Sequence, residues 1–280
     1  MTLASPQIRS RTAVPRTVLM CRPDHFTVRY RINPWMRPQD PTDTERAVRQ
    51  WEELYRTYRR LGFDVRLIDP VPGLPDMVYA ANGGQVVDGV AHGARFRHGE
   101  RAAEGPLYMR WFRRNGFAVR EPLATNEGEG DFLLVGDTVF AGSGFRSDVA
   151  GHDEVADAFG REVVSLGLVD PRFYHLDTAF AVLDSDGGPD AVAYYPEAFD
   201  ERSRALLAER FPDAIPVGEA DAVVFGLNCF SDGRNVVMAA QATTFAAQLA
   251  ERGYVPVPVD LSELLRGGGG VKCCTLELRS

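Results

Sequence analysis

The stretch from Phe132 to Ala141 reads FLLVGDTVFA. Its two apolar runs, Phe132–Val135 and Thr138–Ala141, are typical of short β-strands. A helical pattern over Asp153–Ala158 and a third strand pattern over Glu162–Ser165 follow. This order of strand, strand, helix and strand recurs roughly every fifty residues, a period typical of an array or propeller of small units. The sequence therefore predicts an α/β protein built from repeats, and not one doubly wound sheet.

Similar patterns cover most of the remaining chain. Further strands are predicted over Thr17–Cys21, Asp64–Ile68, Gly84–Val87, Ala179–Leu183, Ala191–Tyr195, Ala222–Phe225, Asn235–Ala239, Val255–Val259 and Cys273–Leu278. Further helices are predicted over Asp43–Leu61, Glu104–Asn115, Asp200–Arg210 and Thr243–Arg252. No GxGxxG or Walker motif opens a helix, so a nucleotide-binding fold has no local support.

The domain organisation is expected to be simple. Residues 1–16 are basic and contain proline but lack the apolar core of a signal peptide, so we expect a disordered leader. No low-complexity linker divides the rest of the chain. We therefore expect one domain over residues 17–280.

Composition limits the classes of partner. The net charge of −8 argues against nucleic acid or an anionic membrane as the main partner. No apolar stretch approaches the length of a membrane span. The four cysteines form no CxxC pair and no zinc-like cluster, which is typical of a reduced, cytoplasmic protein without a metal. Neither a metal nor an organic cofactor is expected, and the sequence leaves homo-oligomer formation open.

The C-terminal segment carries a candidate nucleophile. Four glycines, Gly267–Gly270, precede Val271, Lys272 and Cys273. Glycines allow a sharp turn without interference from Cβ atoms, and the turn would present the Cys273 thiol at a fixed point. The neighbouring Lys272 would favour the thiolate, which is the nucleophilic form. The alternative is a flexible tail with two core cysteines, since free cysteine is commonly a small buried hydrophobe.

Two polar elements interrupt apolar segments in the first third of the chain. Asn33 lies in the turn-like segment Ile32–Met36. Asp76 and Asn82 are predicted to flank a short strand that leads into a Gly-Gly turn, and in an extended chain both would project to one face. The alternatives are an Asn-Pro turn in the first case and strand caps in the second.

Two further elements carry titratable groups. Glu127 belongs to a run of three carboxylates before a predicted strand, which is either solvated or binds a cation. His175 and Asp177 would share one face of a strand, although a lone histidine of this kind is more often structural. A thiolate, an imidazole and several carboxylates together suit a guanidinium, which is planar and offers a fork of N–H donors.

Several motifs, in the same order, resemble the guanidine-modifying superfamily of deiminases, dimethylarginine dimethylaminohydrolases and amidinotransferases. The closest resemblance is to its arginine dihydrolase branch. It is carried by the segments Leu19–Met36, Phe173–Phe180, Ala220–Asn228 and the Gly-rich ending with Lys272-Cys273. The resemblance implies a five-bladed α/β propeller, the pentein fold, with pseudo-fivefold ββαβ repeats.

The resemblance also implies roles for individual residues. Cys273, and not Cys274, would be the nucleophile, because the family pattern is Cys, any residue, Thr. His175 would act as general acid and base, with Glu127 as its acidic partner. The substrate-binding set would be Asn33, Asp76, Asn82, Arg95, Arg146 and Asp177. Within it, the two aspartates would hold guanidino nitrogens and the two arginines would hold the substrate carboxylate.

The implied function is hydrolysis of the guanidino group of arginine through a covalent thiouronium on Cys273. Asn82 stands where deiminases and dimethylaminohydrolases typically have Asp, and an amide can hydrogen-bond a neutral ureido group. The implied reaction is therefore arginine to ornithine, ammonia and carbon dioxide. Dimethylarginine dimethylaminohydrolase or arginine deiminase activity that stops at citrulline is the nearest alternative. A non-catalytic amino-acid-binding module is an alternative of another class.

Overall fold

Five three-stranded sheets form the framework of the protein, which a computed structural model describes over residues 10–279. In each sheet one edge strand is antiparallel to the middle strand, and the middle strand is parallel to the other edge strand. An α-helix connects each middle strand to its parallel neighbour. The predicted ββαβ repeat is therefore present, in a mixed α/β fold.

The strands of the described chain are β1 (Thr17–Cys21), β2 (Asp64–Ile68), β3 (Gly84–Val87), β4 (Val90–Gly93), β5 (Ala118–Arg120), β6 (Phe132–Val135), β7 (Thr138–Ser143), β8 (Glu162–Gly167), β9 (Phe180–Val182), β10 (Val192–Tyr194), β11 (Ile215–Pro216), β12 (Phe230–Ser231), β13 (Asn235–Ala239), β14 (Val255–Val259) and β15 (Leu276–Glu277). The helices are α1 (Thr44–Arg60), α2 (Glu104–Arg114), α3 (Ala150–Phe159), α4 (Glu201–Arg210), α5 (Glu219–Ala222), α6 (Thr243–Glu251) and α7 (Ser262–Leu265).

The last strand completes the first sheet. The sheet order is β15-β1-β2, with β15 antiparallel to β1 and Leu19 opposite Leu276. Leu278 continues to a bridge with Val86 in β3. The residues directly before β15 are therefore held between the first two sheets, and these residues carry Cys273.

Helix α1 shows how the sequence builds the outer layer. Asp43 caps its N-terminus by accepting a hydrogen bond from the backbone of Arg46, which satisfies one of the free N–H groups there. Trp51, Leu54 and Tyr58 recur at helical spacing and are buried. This apolar face joins the core cluster that contains β1 and the Cys273 turn.

Several sequence predictions fail at the polar segments. The strand predicted over Cys273–Leu278 shortens to β15, and Cys273 lies in a turn before it. His175 and Asp177 do not share a strand face, because Leu176–Thr178 forms a 3-10 turn. Similarly, Asp76 and Asn82 do not flank a strand.

Asp76 and Asn82 instead lie in two consecutive 3-10 turns, Pro75–Val78 and Ala80–Gly83. The strand predicted over Ala222–Phe225 is also absent, because α5 ends at Ala222 and is followed by a turn.

Part of the expected leader contacts the body of the protein. Residues 1–9 of the predicted segment 1–16 lie outside the described residues. Within the remainder, the Arg11 guanidinium donates to Asp190 at 2.6 Å, and the backbone of Val14 donates to Asp232 at 2.8 Å. Among residues 10–279, no helix has both the length and the apolar character needed to cross a membrane.

Candidate active site

Cys273 lies in a buried group of side chains, which we call the thiol cluster: Cys273, Asp177 and Asn228. The Cys273 thiol donates to Oδ2 of Asp177 at 3.3 Å and accepts from Nδ2 of Asn228 at 3.1 Å. Oδ1 of Asn228 also accepts from the backbone N–H of Cys273 at 3.0 Å. Asn228 therefore fixes both the backbone and the sulfur of the candidate nucleophile.

His175 belongs to a second buried group, the histidine cluster: His175, Glu127 and Arg146. Nε2 of His175 lies 2.8 Å from Oε2 of Glu127, and the guanidinium of Arg146 donates to the same oxygen at 2.8 Å. All three side chains are buried. This arrangement holds the imidazole ring in place and leaves Glu127 between two cationic or potentially cationic groups.

Contacts between neighbouring residues join the two clusters. The Tyr174 ring lies 4.8 Å from that of His175, and Arg146 stacks on the same tyrosine at 4.6 Å. The Tyr174 hydroxyl donates to the carbonyl of Gly268 in the Gly-rich loop. The backbone of Ala81 donates to the Cys273 carbonyl at 3.0 Å. The thiol and the imidazole are therefore built into one site.

The Gly-rich loop has little room for side chains. Gly268 has a φ of +89°, in the left-handed region that strongly favours glycine. A Cβ atom on Gly269 would collide with the ring of Tyr79. The glycines thus let the backbone pass close to the site and turn into the segment that presents Cys273.

A third group of residues lies beside the histidine cluster. Arg101, which the sequence analysis did not identify, donates to Oδ1 of Asn82 at 2.7 Å and to the carbonyl of Asp76 at 3.2 Å. Nδ2 of Asn82 lies 3.4 Å from the Glu127 carbonyl. Oδ2 of Asp76 accepts from Tyr30 at 2.9 Å. The predicted pair Asp76 and Asn82 is therefore brought to the site, with a buried arginine between them.

Of the two remaining candidates, Asn33 lies at the site and Arg95 does not. Asn33 is buried at the Gly-rich loop, where Nδ2 donates to the Gly267 carbonyl at 3.1 Å and Oδ1 accepts from the backbone of Trp35 at 2.9 Å. These bonds hold the loop. The Arg95 side chain is exposed and donates to the Leu123 carbonyl, so the structure does not bring it to the site.

Two carboxylates of the site have opposite shifts in pKa. Burial raises the pKa of Asp177 to about 7, and the Lys272 charge and the thiol hydrogen bond only partly oppose this. Burial also disfavours ionised Glu127, but Arg146 and the His175 hydrogen bond outweigh it and hold the pKa of Glu127 well below its usual range. Glu127 is therefore ionised at neutral pH, whereas Asp177 titrates near it.

The expected effect of Lys272 on the thiol is not seen. Burial, followed by the charge of Asp177, raises the pKa of Cys273 well above its ordinary value. The Lys272 ammonium donates to Glu129 at 2.7 Å and to the Thr275 carbonyl at 2.8 Å. Its ammonium is therefore directed to the Glu129 carboxylate and the Thr275 carbonyl, and the raised pKa favours the neutral form of the Cys273 thiol in the free protein.

Two buried atoms define what the site can bind. Oδ1 of Asp177 and Nδ1 of His175 have no hydrogen-bond partner within residues 10–279. An unpaired acceptor on a titrating carboxylate suits an N–H donor, and a cationic donor would also favour the ionised form. Within the same residues, no group of three or more His, Cys, Asp or Glu side chains is arranged to hold a metal ion.

Sequence reasoning missed Arg101 and Asn228 for different reasons. Asn228 lay at the end of a recognised segment, but a single amide carries no signal of its contacts. Arg101 is followed three residues later by Glu104, and the two form a buried ion pair at 2.8 Å. That spacing is also common on exposed helices, so only the fold shows that the pair is buried.

Comparison with known proteins identifies a family. Residues 22–280 match the profile described as eukaryotic N,N-dimethylarginine dimethylhydrolase. A protein of Mycobacterium tuberculosis named N(G),N(G)-dimethylarginine dimethylaminohydrolase is 54% identical over 268 residues, which cover 96% of this chain and 87% of that protein.

Similar proteins of a second kind are bifunctional. The arginine dihydrolase/ornithine cyclodeaminase ArgZ of Synechocystis is 41% identical over 271 residues, covering 93% of this chain but only 37% of that protein. A solved structure of the ArgZ N-terminal domain, covalently bound to a reaction intermediate, has a TM-score of 0.89 and 40% identity and covers 95% of this chain and 98% of that chain.

Proposed function

This chain belongs to the dimethylarginine dimethylaminohydrolase family of guanidino hydrolases, and on that premise we propose that it is an arginine dihydrolase, converting arginine to ornithine, two ammonia and carbon dioxide. The observation that carries the proposal is the thiol cluster beside the histidine cluster. A nucleophile, a carboxylate with a free acceptor atom and a fixed imidazole meet in one buried site.

The substrate guanidinium would bind at Asp177. Its N–H groups match the unpaired Oδ1 atom, and its charge favours the ionised carboxylate. The guanidinium groups of Arg101 and Arg146 are buried and contact Asn82 and Glu127 respectively. Their positive charges would suit the substrate carboxylate. Arg146 was expected in this role from the sequence, whereas Arg101 takes the role expected of Arg95.

Substrate binding would also activate the nucleophile. In the free site, ionised Asp177 raises the pKa of the Cys273 thiol. A bound guanidinium neutralises that carboxylate and places a positive charge beside the sulfur, so the thiol loses its proton more readily. The thiolate then attacks the guanidino carbon. Because deprotonation follows substrate binding, the reactive thiolate forms only in the occupied site.

His175 would transfer the protons. Its imidazolium, stabilised by Glu127, protonates the departing nitrogen so that it leaves as ammonia. The neutral imidazole then removes a proton from the water that attacks the thiouronium carbon. Removal of that proton returns His175 to its charged form. Collapse of the adduct then breaks the C–S bond and gives citrulline, and the hydroxyl proton of the adduct passes to the Cys273 sulfur, which restores the thiol.

A second cycle would complete the dihydrolase reaction. Attack of Cys273 on the ureido carbon and loss of the second ammonia leave a thiocarbamate. Water releases this as a carbamate, which separates into ornithine and carbon dioxide. Asn82 is an amide in contact with Arg101, and an amide can hydrogen-bond a neutral ureido group as well as a cation. This feature favours retention of citrulline.

The five sheets would be arranged as the blades of a propeller around the site. Neighbouring sheets meet through β15 with β3, β3 with the 3-10 turn Gly128–Gly130, β6 with β9, and β9 with β12. The core cluster that contains Phe230 of β12 also contains Val18 of β1. This succession supports a closed ring of five blades, with β15 as the final join.

Dimethylarginine dimethylaminohydrolase activity is the second candidate. The 54% identity to the Mycobacterium tuberculosis protein of that name favours it. It requires the same attack by Cys273 with dimethylamine as the leaving group, and it stops at citrulline. The two reactions therefore differ in the leaving group accepted and in the fate of citrulline.

Product analysis separates these reactions. The purified protein is incubated at neutral pH with L-arginine, NG,NG-dimethylarginine or L-citrulline, and ornithine, citrulline and amines are quantified over time. We expect ornithine with two ammonia per arginine, and accumulation of citrulline in Asn82→Asp. Citrulline as the final product of the wild type would contradict the dihydrolase proposal, and faster turnover of dimethylarginine would establish the second candidate.

A further inference from the structure

Lys272 is unusual for this chain. Of the 31 lysine and arginine residues, it is the only lysine. Its side chain is only 8% exposed, although lysine is rarely buried unless its charge is paired. It directly precedes Cys273, yet the mechanism above gives it no role.

The contacts of Lys272 surround the turn that carries the nucleophile. Its backbone N–H donates to the Asn228 carbonyl at 3.1 Å, and its ammonium donates to the Thr275 carbonyl at 2.8 Å. Asn228 in turn holds both the backbone and the sulfur of Cys273. The turn is thus fixed at its start by a backbone bond and across its end by the ammonium.

The ammonium is anchored to a carboxylate with several partners. Oε2 of Glu129 accepts from Lys272 at 2.7 Å and from the backbone of Glu277 at 2.9 Å, while Oε1 accepts from Arg279. Glu129 lies two residues after Glu127, so one short turn carries one carboxylate to His175 and another to Lys272. The ion pair therefore connects the Cys273 turn to the segment that holds His175 in place.

We propose that Lys272 is a positioning residue for the guanidino hydrolysis proposed above: its ammonium closes the Cys273 turn and provides the positive charge that keeps Asp177 ready for a guanidinium. The inference rests on that proposed function. The charge of Lys272 acts on Asp177, the carboxylate that would receive the substrate, and not on the neighbouring Cys273 thiol.

The surroundings of Asp177 support this assignment. The charged and titratable groups that affect it or are affected by it are Lys272, Glu129, Cys273, Cys274 and Tyr174. Among these, Lys272 carries the positive charge, and it opposes the effect of burial on the pKa of Asp177. Without it, the effect of burial would be less opposed, so the protonated form of Asp177 would be favoured and would attract a guanidinium less strongly.

The shape of the site explains why this cation is a lysine. A compact ammonium directs its donors to Glu129 and to the Thr275 carbonyl at 2.7 and 2.8 Å. A planar guanidinium is larger and presents its donors in a fixed fork. We therefore expect Lys272→Arg to disturb the turn even though it keeps the charge.

The test compares Lys272→Met with Arg279→Met. Each variant removes one cation from Glu129, but only Lys272 contacts the Cys273 turn and affects Asp177. The titration of Asp177 is followed by carbon-detected NMR of 13C-aspartate-labelled protein in a Cys273→Ser background, and the signal is assigned with Asp177→Asn. The pH dependence of kcat/KM is measured with the Cys273 enzymes.

In Lys272→Met we expect the pKa of Asp177 and the rising limb of kcat/KM to move up by about one unit or more. The activity lost at neutral pH should return as the pH rises. Arg279→Met should lower stability without moving either titration. Unmoved titrations in Lys272→Met would overturn the inference, as would equal movement in Arg279→Met.

Two further arrangements keep the test decisive. If Lys272→Met does not fold, the double variant Lys272→Met/Glu129→Gln removes both charges of the pair. A smaller upward shift is then expected, because Glu129 raises the pKa of Asp177 and partly offsets the effect of Lys272. If the wild type turns over neither arginine nor dimethylarginine, the proposed function fails, but the NMR titration still tests the effect of Lys272. Normal turnover with an unmoved Asp177 would contradict the inference alone.

Discussion

The thiol cluster and the histidine cluster each contain a fully buried carboxylate, and the two behave in opposite ways. Glu127 lies between Arg146 and His175, both 2.8 Å from its Oε2 atom, and its pKa is held well below the usual range. Asp177 has a thiol as its hydrogen-bond partner at 3.3 Å, and burial raises its pKa to about 7.

This difference shows that the charged partners of a buried carboxylate, more than its depth, decide its role. Glu127 is fully paired and remains ionised, which suits a residue that stabilises an imidazolium through each catalytic cycle. Asp177 is incompletely paired, which suits a residue that receives a cation and later releases a neutral product. The following predictions test this contrast, from the largest expected effect to the smallest.

Of the two neighbouring cysteines, Cys273 and not Cys274 is proposed as the nucleophile of the thiol cluster. Cys273→Ser should lower turnover by at least about a thousandfold, because a hydroxyl is a far weaker nucleophile in the same position. Cys274→Ser is the matched control, since Cys274 is equally buried but lies outside the thiol cluster. Turnover assays on both variants decide the assignment; full activity in Cys273→Ser would refute it.

The histidine cluster depends on Arg146. Arg146→Met should lower the free energy of unfolding by about 3–5 kcal/mol, because it leaves Glu127 buried without its main cation. Arg113→Met removes the exposed pair Arg113–Glu121 and should cost no more than about 1 kcal/mol. Urea unfolding at neutral pH measures both. Equal effects would show that Glu127 does not depend on its partner.

Asp177 should make the protein less stable as the pH rises. Its pKa is raised in the folded state, so the stabilisation that it contributes is complete at low pH and is lost as the pH rises through about 7. Asp177→Asn removes this loss, and the variant should exceed the wild type by about 2 kcal/mol or more near pH 9.

Unfolding free energies measured across this pH range test the prediction for Asp177. Asp137→Asn is the control, because that carboxylate is 96% exposed. Parallel pH profiles for the wild type and Asp177→Asn would contradict the raised pKa.

Arg95 provides the smallest expected effect. Because its side chain is exposed and bonded to the Leu123 carbonyl, Arg95→Gln should change KM by no more than about twofold. Arg101→Gln should raise KM strongly, because it removes a buried cation from the site. Steady-state kinetics with L-arginine compare the two. A large increase in KM for Arg95→Gln would restore the role expected of it from the sequence.

The regular parts of the fold could be predicted because strands and helices leave a periodic signal. The strands Thr17–Cys21, Phe132–Val135 and Val255–Val259 have the predicted bounds. The strands β4, β5, β11 and β12 were missed. They have two to four residues each, and such short segments show little or no periodicity. Their pairing is imposed by the sheet they complete, which is a tertiary effect.

The sequence indicated which residues carry the chemistry of the site, but not their local structure or their partners. Cys273, His175 and Glu127 were recognised by their chemistry and motifs, and the fold brings them together. The local structure predicted for His175 and Cys273 was wrong, because the strand pattern does not reveal the 3-10 turn after His175 or the turn that carries Cys273. The partners Arg101 and Asn228 come from distant segments, so only the folded chain shows their contacts.

The central claim is that Cys273 forms a covalent intermediate in this buried site. The most direct test is to mix the protein with excess L-arginine, to quench with acid during steady-state turnover, and to analyse the peptide that contains Cys273 by mass spectrometry. We expect an adduct equal to arginine minus ammonia on Cys273, which is absent from Cys273→Ser. Steady turnover without any adduct on Cys273, or an adduct on Cys274 instead, would contradict the account.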